Sequence, residues 1–187
     1  MTIEEASYTL ALQEDKFEIR DYAPQILAEA VVEGTLEDAG RKAFTRLFRY
    51  ISGENRPEGK IAMTTPVTQQ PQGEKVNMLS PVRQQVEGKW AVSFTMPASY
   101  SLETLPKPED TTLRLRQVPA RRMAVVRYSG FWSEKNYQLH KMELESWIQD
   151  KGLTILGDPV WARYNPPFTP WFLRRNEILI PVKGGPS

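Results

Sequence analysis

A chain of 187 residues with 40% hydrophobic and 25% charged content is long enough for one domain with a proper core and is far from disordered composition. The formal charge of +1 and the absence of Cys exclude a disulfide framework, a thiolate nucleophile and a Cys-based metal site, and give no global electrostatic reason to bind nucleic acid or an anionic membrane. Met1 to Glu5 forms neither a basic leader nor an apolar run, and no stretch approaches the ~20 apolar residues of a spanning helix. A soluble, cytoplasmic protein is the expectation.

In chain order, Glu18-Ile19-Arg20-Asp21-Tyr22 leads through Pro24 into Ile26 to Gly34, the pattern of two strands joined at a Pro-containing turn. A helix is predicted from Leu36 to Ile51, with Thr35 as its N-cap and Gly53 beyond its end. At ~100° per residue, Leu36, Gly40, Ala43, Phe44, Leu47 and Ile51 share its apolar face, Phe48 sits at the edge with Arg41 beside it, and Arg49 lies beyond.

Next comes a motif written twice. Lys60-Ile61-Ala62-Met63-Thr64-Thr65-Pro66-Val67-Thr68-Gln69-Gln70 returns as Lys75-Val76-Asn77-Met78-Leu79-Ser80-Pro81-Val82-Arg83-Gln84-Gln85, with six of eleven positions identical. Strand alternation would place Ile61, Met63, Thr65 and Val67 on one side, and Pro, lacking an N–H, marks an edge or bulge. A Met-containing apolar wall follows, open to two readings, ligand pocket or ordinary core. Trp90 to Met96 is a strand closed by Pro97, and Ala98 to Thr111, with Pro106 and Pro108, reads as a surface linker.

Arg114 to Val118, Pro119 and Arg122 to Gly130 then repeat the opening pattern. Without gaps, Ile19 lies over Leu115, Leu27 over Met123, Ala28 over Ala124 and Gly34 over Gly130. The expectation is one domain over 1–187 with a pseudo-repeat, about 16–97 and 112–182, each half carrying one helix. The second helix runs from about Ser133 to Asp150, with Tyr137, His140, Leu144, Trp147 and Ile148 as its apolar stripe and Glu143 and Glu145 outside. Final strands are predicted over Val160–Tyr164 and Glu177–Val182. Between them lies Asn165-Pro166-Pro167-Phe168-Thr169-Pro170-Trp171-Phe172-Leu173-Arg174-Arg175-Asn176, whose three prolines oppose regular structure. Its apolar side chains need cover: the domain itself, a ligand under a lid, or a protein partner.

Phe17-Glu18-Ile19-Arg20-Asp21-Tyr22, Lys60 to Val67, Val92 to Pro97 and Tyr164-Asn165-Pro166-Pro167 with Arg174-Arg175-Asn176-Glu177, taken together and in this order, resemble the SOUL family of haem-binding proteins over roughly residues 16–182. The resemblance implies an α+β fold: a distorted antiparallel β-barrel or two facing sheets from two similar halves, each with one long helix packed outside. It also implies binding of haem or a related tetrapyrrole in an apolar groove between the first helix and the loop before the last strand. Carried over by position, the helix side falls on Arg41, Phe44 and Arg49 and the loop side begins at Tyr164. Some members carry a Met where Phe44 stands.

The residues make chemical sense of such a groove. Phe44, Phe48, Met63 and Trp171 can cover the faces of a flat apolar disc, and Arg41 and Arg49 can pair with its carboxylates. The plainer reading makes Phe44 and Met63 core and the arginines solvated. Iron ligation is weakly provided for. Where some members are proposed to use a His, this chain has Asp21; His140, the single imidazole, reads more readily as packed. Met63, Met78 and Tyr164 are no better, so haem without a strong axial protein ligand is expected, in a carrier or buffer without turnover.

Two other functions compete. The duplicated architecture is similar to gyrase-inhibitor-like small-molecule domains, some of which hydrolyse their ligands; there Glu177 would be the candidate base, or else an ion-pair partner of Arg174 or Arg175. The third is a protein-interaction module using the Phe168–Leu173 loop. With one His, no Ser-His-Asp set is assembled convincingly, a His-x-x-x-His metal site is impossible, and no phosphate-cradling Gly motif is present.

Overall fold

A computed structural model describes residues 4–57, 59–75, 83–165 and 168–187, with backbone alone for 71–75 and 83–87. Its strands and helices follow as β1 (Glu4–Glu5), β2 (Tyr8–Glu14), β3 (Phe17–Tyr22), β4 (Gln25–Glu33), α1 (Leu36–Ile51), β5 (Asn55–Arg56), β6 (Thr64–Lys75), β7 (Arg83–Thr95), β8 (Lys107–Pro108), β9 (Arg114–Val118), β10 (Arg121–Tyr128), α2 (Glu134–Asp150), β11 (Thr154–Ile155), β12 (Val160–Arg163) and β13 (Asn176–Lys183). The fold is α+β. Its main sheet has eleven strands in the order β2-β3-β10-β13-β12-β6-β7-β4-β9, with β1 on β6 and β11 on β13. The path is open at β2 and β9, so among the described residues the sheet does not close, and the barrel of the sequence reading is corrected to a long folded sheet.

The strand order reads the same from both ends. β12 corresponds to β6, β13 to β7, β10 to β4 and β3 to β9. Register agrees as well: Ile19 faces Ala124 where Leu115 faces Ala28, and Tyr22 faces Arg121 where Val118 faces Gln25. These are the correspondences the ungapped repeat predicts. The first strand of each half pairs with the other half, β3 on β10 and β9 on β4.

Helix α1 begins where Thr35 accepts a hydrogen bond from the Asp38 N–H at 3.2 Å, with Glu37 and Asp38 in its first turn to complement the helix dipole. It buries Ala39, Ala43, Leu47 and Ile51 against β4 and β7, while Leu36 joins the apolar cluster under α2. Full burial of Leu47 or Ile51 contributes about 1.5–3 kcal/mol each. Helix α2 is capped by Ser133 and packs Tyr137, Leu144, Trp147 and Ile148 on β10 and β13. A third apolar cluster, including Tyr22, Met123, Val125, Val160, Ala162 and Leu179, fills the opposite face of the second half's strands. β10 and β13 are therefore buried on both sides.

Three expectations change. The alternation over Ile61–Val67 breaks, because the pairing of β6 with β7 shifts register between Thr64 and Val67, around Pro66. Thr64, Pro66 and Val67 are all buried there, so the Pro supplies the expected bulge but not a single-sided stripe. Ala98–Thr111 is not a bare linker: Leu105 is buried and the Tyr50 hydroxyl donates to the Pro106 carbonyl at 2.6 Å. Glu143 is not merely solvated, since it pairs with Lys16. The second motif copy from Val76 to Val82, with Met78, lies outside the described residues.

Candidate functional site

The ground between α1 and the loop before β13 is built from cations and indoles. Arg163, at the end of β12, lies over the Trp161 ring at 4.6 Å and the Trp132 ring at 5.5 Å. Arg174 covers Trp132 at 4.2 Å. Gly40 makes room for this layer. A Cβ there would collide with the Arg163 guanidinium, so with a side chain at that position Arg163 would have to shift. Arg163 donates to Gln69 Oε1 at 3.0 Å, and Gln69 donates to the Leu36 carbonyl at 2.9 Å, which joins β12, β6 and the first turn of α1. Burial lowers the Arg163 guanidinium to about 10.

The loop is fixed to the start of α2. The Gly130 N–H donates to the Trp171 carbonyl at 3.0 Å, the Trp132 indole donates to Asn176 Oδ1 at 2.7 Å, and Asn176 donates back to the Gly130 carbonyl at 3.1 Å. Trp171–Leu173 forms a short 3₁₀ turn. Its side chains stay out of the core: Phe168 is 87% exposed, Trp171 49%, Phe172 58% and Leu173 63%. Trp171 stacks on Phe131, itself exposed, with ring centroids 5.2 Å apart. Of the three covers considered for this loop, the domain itself is thereby removed.

The predicted residues separate into three places. Arg41, Phe44 and Phe48 share one stripe of α1, as i, i+3 and i+7 positions do, and Arg49 follows in the last turn. Phe44 is half-buried, stacked on Phe48 at 5.9 Å and tilted on Phe94 at 5.3 Å, and Met63 packs on the same cluster. Phe48 is 49% exposed. Arg41 is held by Asp38 at 2.8 Å, and Arg49 is exposed. Trp171 belongs to the Phe131 patch. Tyr164 belongs elsewhere, with its ring under Arg175 at 3.8 Å against the third apolar cluster.

Tyr164 lies beside a buried charge network of which the sequence reading gave only the pairing of Glu177 with Arg175, missing Arg20. Arg20 clasps both oxygens of Glu177 at 2.8 and 2.6 Å, each side chain being 0% exposed, and also binds Glu18 and the Tyr22 hydroxyl. Arg127 and Arg175 add contacts to Glu177 at 3.3 and 3.2 Å. Burial would raise the Glu177 carboxyl, but the hydrogen bonds and charge of Arg20, with the charge of Arg175, outweigh it and hold the group at about 2. Burial also pushes the Tyr164 hydroxyl up. Alternation within Glu18-Ile19-Arg20-Asp21-Tyr22 resembles a solvated face, but Tyr8 of β2 lies over Arg20 and Glu177 of β13, far away in sequence, completes the cluster.

Asp21 and His140 have other partners. Asp21 forms a two-pronged pair with Arg122 at 2.7 and 2.8 Å. His140 stacks on Tyr128 at 4.0 Å and stands 3.4 Å from Glu143; burial lowers its imidazole, against the pull of Glu143. Among the described residues no cluster of three His, Asp or Glu side chains could hold a metal ion.

Comparison with known proteins follows the same lines. Residues 3–181 match the family described as SOUL heme-binding protein. The chain belongs to this family. It is 27% identical to mouse "Heme-binding protein 2" over 178 residues, spanning 94% of this chain and 82% of that one, and 24% identical to mouse "Heme-binding protein 1" over 151 residues, 80% and 75%. Among solved structures, the EcmrR C-terminal domain superposes with a TM-score of 0.67 at 10% identity over 95% of this chain and 99% of that one. A conserved protein from Listeria innocua gives 0.60 at 12% identity over 91% and 93%. At these identities the two structures share the fold with this SOUL chain.

Proposed function

We propose that the protein binds haem or a related tetrapyrrole as a carrier or buffer without turnover, and that the porphyrin lies along the Arg41–Phe44–Phe48 stripe of α1, with the Trp171 loop closing from the side. Membership of the SOUL family, with relatives named for haem binding, carries the tetrapyrrole part of this reading. The Phe44–Phe48 pair carries the placement: two stacked rings, one half-exposed, between two exposed arginines. A flat apolar disc gains from such rings, and its carboxylates gain from guanidinium partners. With Asp21 and His140 engaged by other side chains, shape and carboxylate pairing hold the ligand rather than an axial bond. No helix is long and apolar enough to cross a membrane among the described residues.

The hydrolytic reading loses its base. A carboxyl held at about 2 with both oxygens in ion pairs is a weak proton acceptor near neutral pH. The interaction reading keeps one observation in its favour, the exposure of Phe131, Phe168, Trp171, Phe172 and Leu173.

The deciding experiment titrates the protein with haemin, metal-free protoporphyrin and the protoporphyrin dimethyl ester. Similar affinity for the first two is expected. Arg41→Glu combined with Arg49→Glu should weaken both acids about tenfold, or ~1.4 kcal/mol, and spare the ester. Equal weakening of acid and ester would remove the arginines from the site, and absence of saturable binding would remove the function.

A further inference from the structure

The correspondence of the halves breaks at one end of the main sheet. In the second half, β3 lies between β10 and β2. Its counterpart in the first half, β9, has β4 on one side and, among the described residues, no strand on the other. The lane that β2 fills beside β3 is empty beside β9. Alternate backbone N–H and C=O groups of such an edge strand point away from its one neighbour and can pair with an added strand.

The side chains show what the missing strand would do. Ile19 and Leu115 hold equivalent register, yet Ile19, with Leu12 of β2 beside it, is 1% exposed, while Leu115 is only half-buried against the cluster under α1. One residue on, Arg20 and Arg116 are equivalent. The Arg20 side chain is 0% exposed, with Tyr8 of β2 over its guanidinium at 4.4 Å, whereas that of Arg116 is 46% exposed.

The empty lane is also cationic. Arg114 and Arg116 share one face of β9, with Leu115 on the other. Arg116 binds Glu29 at 3.0 Å, and Glu29 also accepts from the Ser93 hydroxyl at 3.4 Å. Arg114 stands in register with that same Glu29. Neither Arg114 nor Arg121, at the start of β10, forms an ion pair among the described residues, so three guanidiniums share one carboxylate. Burial lowers the Arg121 guanidinium, and the charge of Arg116 lowers it further.

We propose that β9 is a docking edge for an acidic peptide segment, added as an extended strand that matches its five residues and alternates acidic with apolar side chains. The acids stand beside Arg114 and Arg116, and an apolar side chain between them covers Leu115 as Leu12 covers Ile19. A second copy of the chain fits the lane poorly, because antiparallel pairing of two β9 strands about their middle residue sets Arg116 against Arg116. No residue proposed for tetrapyrrole binding lies on β9, so the edge does not depend on that reading.

The test titrates the full ¹⁵N-labelled chain with acetyl-TEVEVET-amide and with its basic counterpart, acetyl-TKVKVKT-amide. The acidic peptide should shift the amides of Arg114–Val118 saturably and slow their hydrogen exchange, with a Kd about tenfold below that of the basic one. Arg114→Gln combined with Arg116→Gln should remove this preference and leave the haemin titration as in the parent chain. Two N-methylated forms of the acidic peptide separate strand pairing from charge attraction. Methylation of the Glu amides blocks one edge of the strand and methylation of the Val amides the other, so one form should bind and the other should not. Equal binding of both forms, equal affinity for acidic and basic peptides, or shifts that map away from β9 would each overturn the proposal. So would a dimer of the free chain that shields the same amides, since the occupant would then be a second copy.

Discussion

Glu177 shows how a single carboxylate can be structural through its surroundings. It and Arg20 are both fully buried, so the desolvation of two ions is offset only while both are present. Glu177→Gln should therefore cost about 3 kcal/mol in chemical denaturation, because the buried Arg20 guanidinium loses its two-pronged partner and keeps only Glu18 as a counter-charge. The pH dependence has a definite sign. The folded group sits at about 2, below its ordinary 4.5, so the native state holds fewer protons than the unfolded chain between these values. Stability from this residue is present above about 4.5 and lost as pH falls towards 2, by about 3 kcal/mol in all. Glu177→Gln should flatten that portion of the acid-denaturation profile; an unchanged slope would mean that other carboxyls produce it. Gly40 makes a second residue-scale case. Alanine improves helix propensity by about 1 kcal/mol, yet its Cβ would collide with the Arg163 guanidinium. Gly40→Ala is expected to lower the thermal midpoint in the parent chain and raise it in an Arg163→Ala background. The same sign in both would show that Arg163 gives way freely.

At the scale of elements, the parts governed by local chemistry were legible and the parts governed by distant cover were not. Thr35 as N-cap and apolar spacing in both segments defined the helices almost to the residue; Ser133, read as the first residue of the second helix, is its cap. Alternation and Pro positions located the major strands. The site was less legible because a side chain's surroundings come from other segments. Phe44, Phe48 and Met63 do meet one cluster, but Tyr164 turns to Glu177, and Trp132 and Arg163 lie under α1 without a motif to announce them. Gly40 inside an otherwise apolar helix face was the available signal, since a helix accepts that cost where something must come close. The prolines of the loop correctly opposed helix and sheet, but they left open which of three covers its apolar side chains take, and their exposure leaves a ligand or a partner. Trp171 stacks on Phe131 while half exposed, and its backbone carbonyl rather than its ring anchors the loop to Gly130. Trp171→Ala should then change stability by less than about 1 kcal/mol, while loss of its contact with a porphyrin face should raise the haemin Kd about tenfold or more. A large fall in the thermal midpoint with unchanged haemin binding would make Trp171 a packing residue and remove the lid.

For the whole molecule, we propose that the two halves arose by internal duplication, and the exchange of first strands determines how such halves behave. β3 completes the sheet of the second half and β9 that of the first. Neither half can keep its sheet if the other opens, because β10 would lose Ile19 and its neighbours and β4 would lose Leu115 and its neighbours. Leu36 of α1 packs into the core cluster under α2, and Trp90 touches the clusters of both helices. Chains of two separable lobes unfold in steps; an interlocked chain of this size should unfold in one. The molecule contains its own probes. Trp132, Trp147, Trp161 and Trp171 all lie in the second half, whereas far-ultraviolet dichroism reports α1 and α2 together. In a Trp90→Phe variant, fluorescence follows the second half alone. Urea curves by fluorescence and by dichroism at 222 nm should then coincide in midpoint and slope. If fluorescence is lost at a separate midpoint, the strand exchange does not couple the halves, and each must be stabilised by its own helix and core.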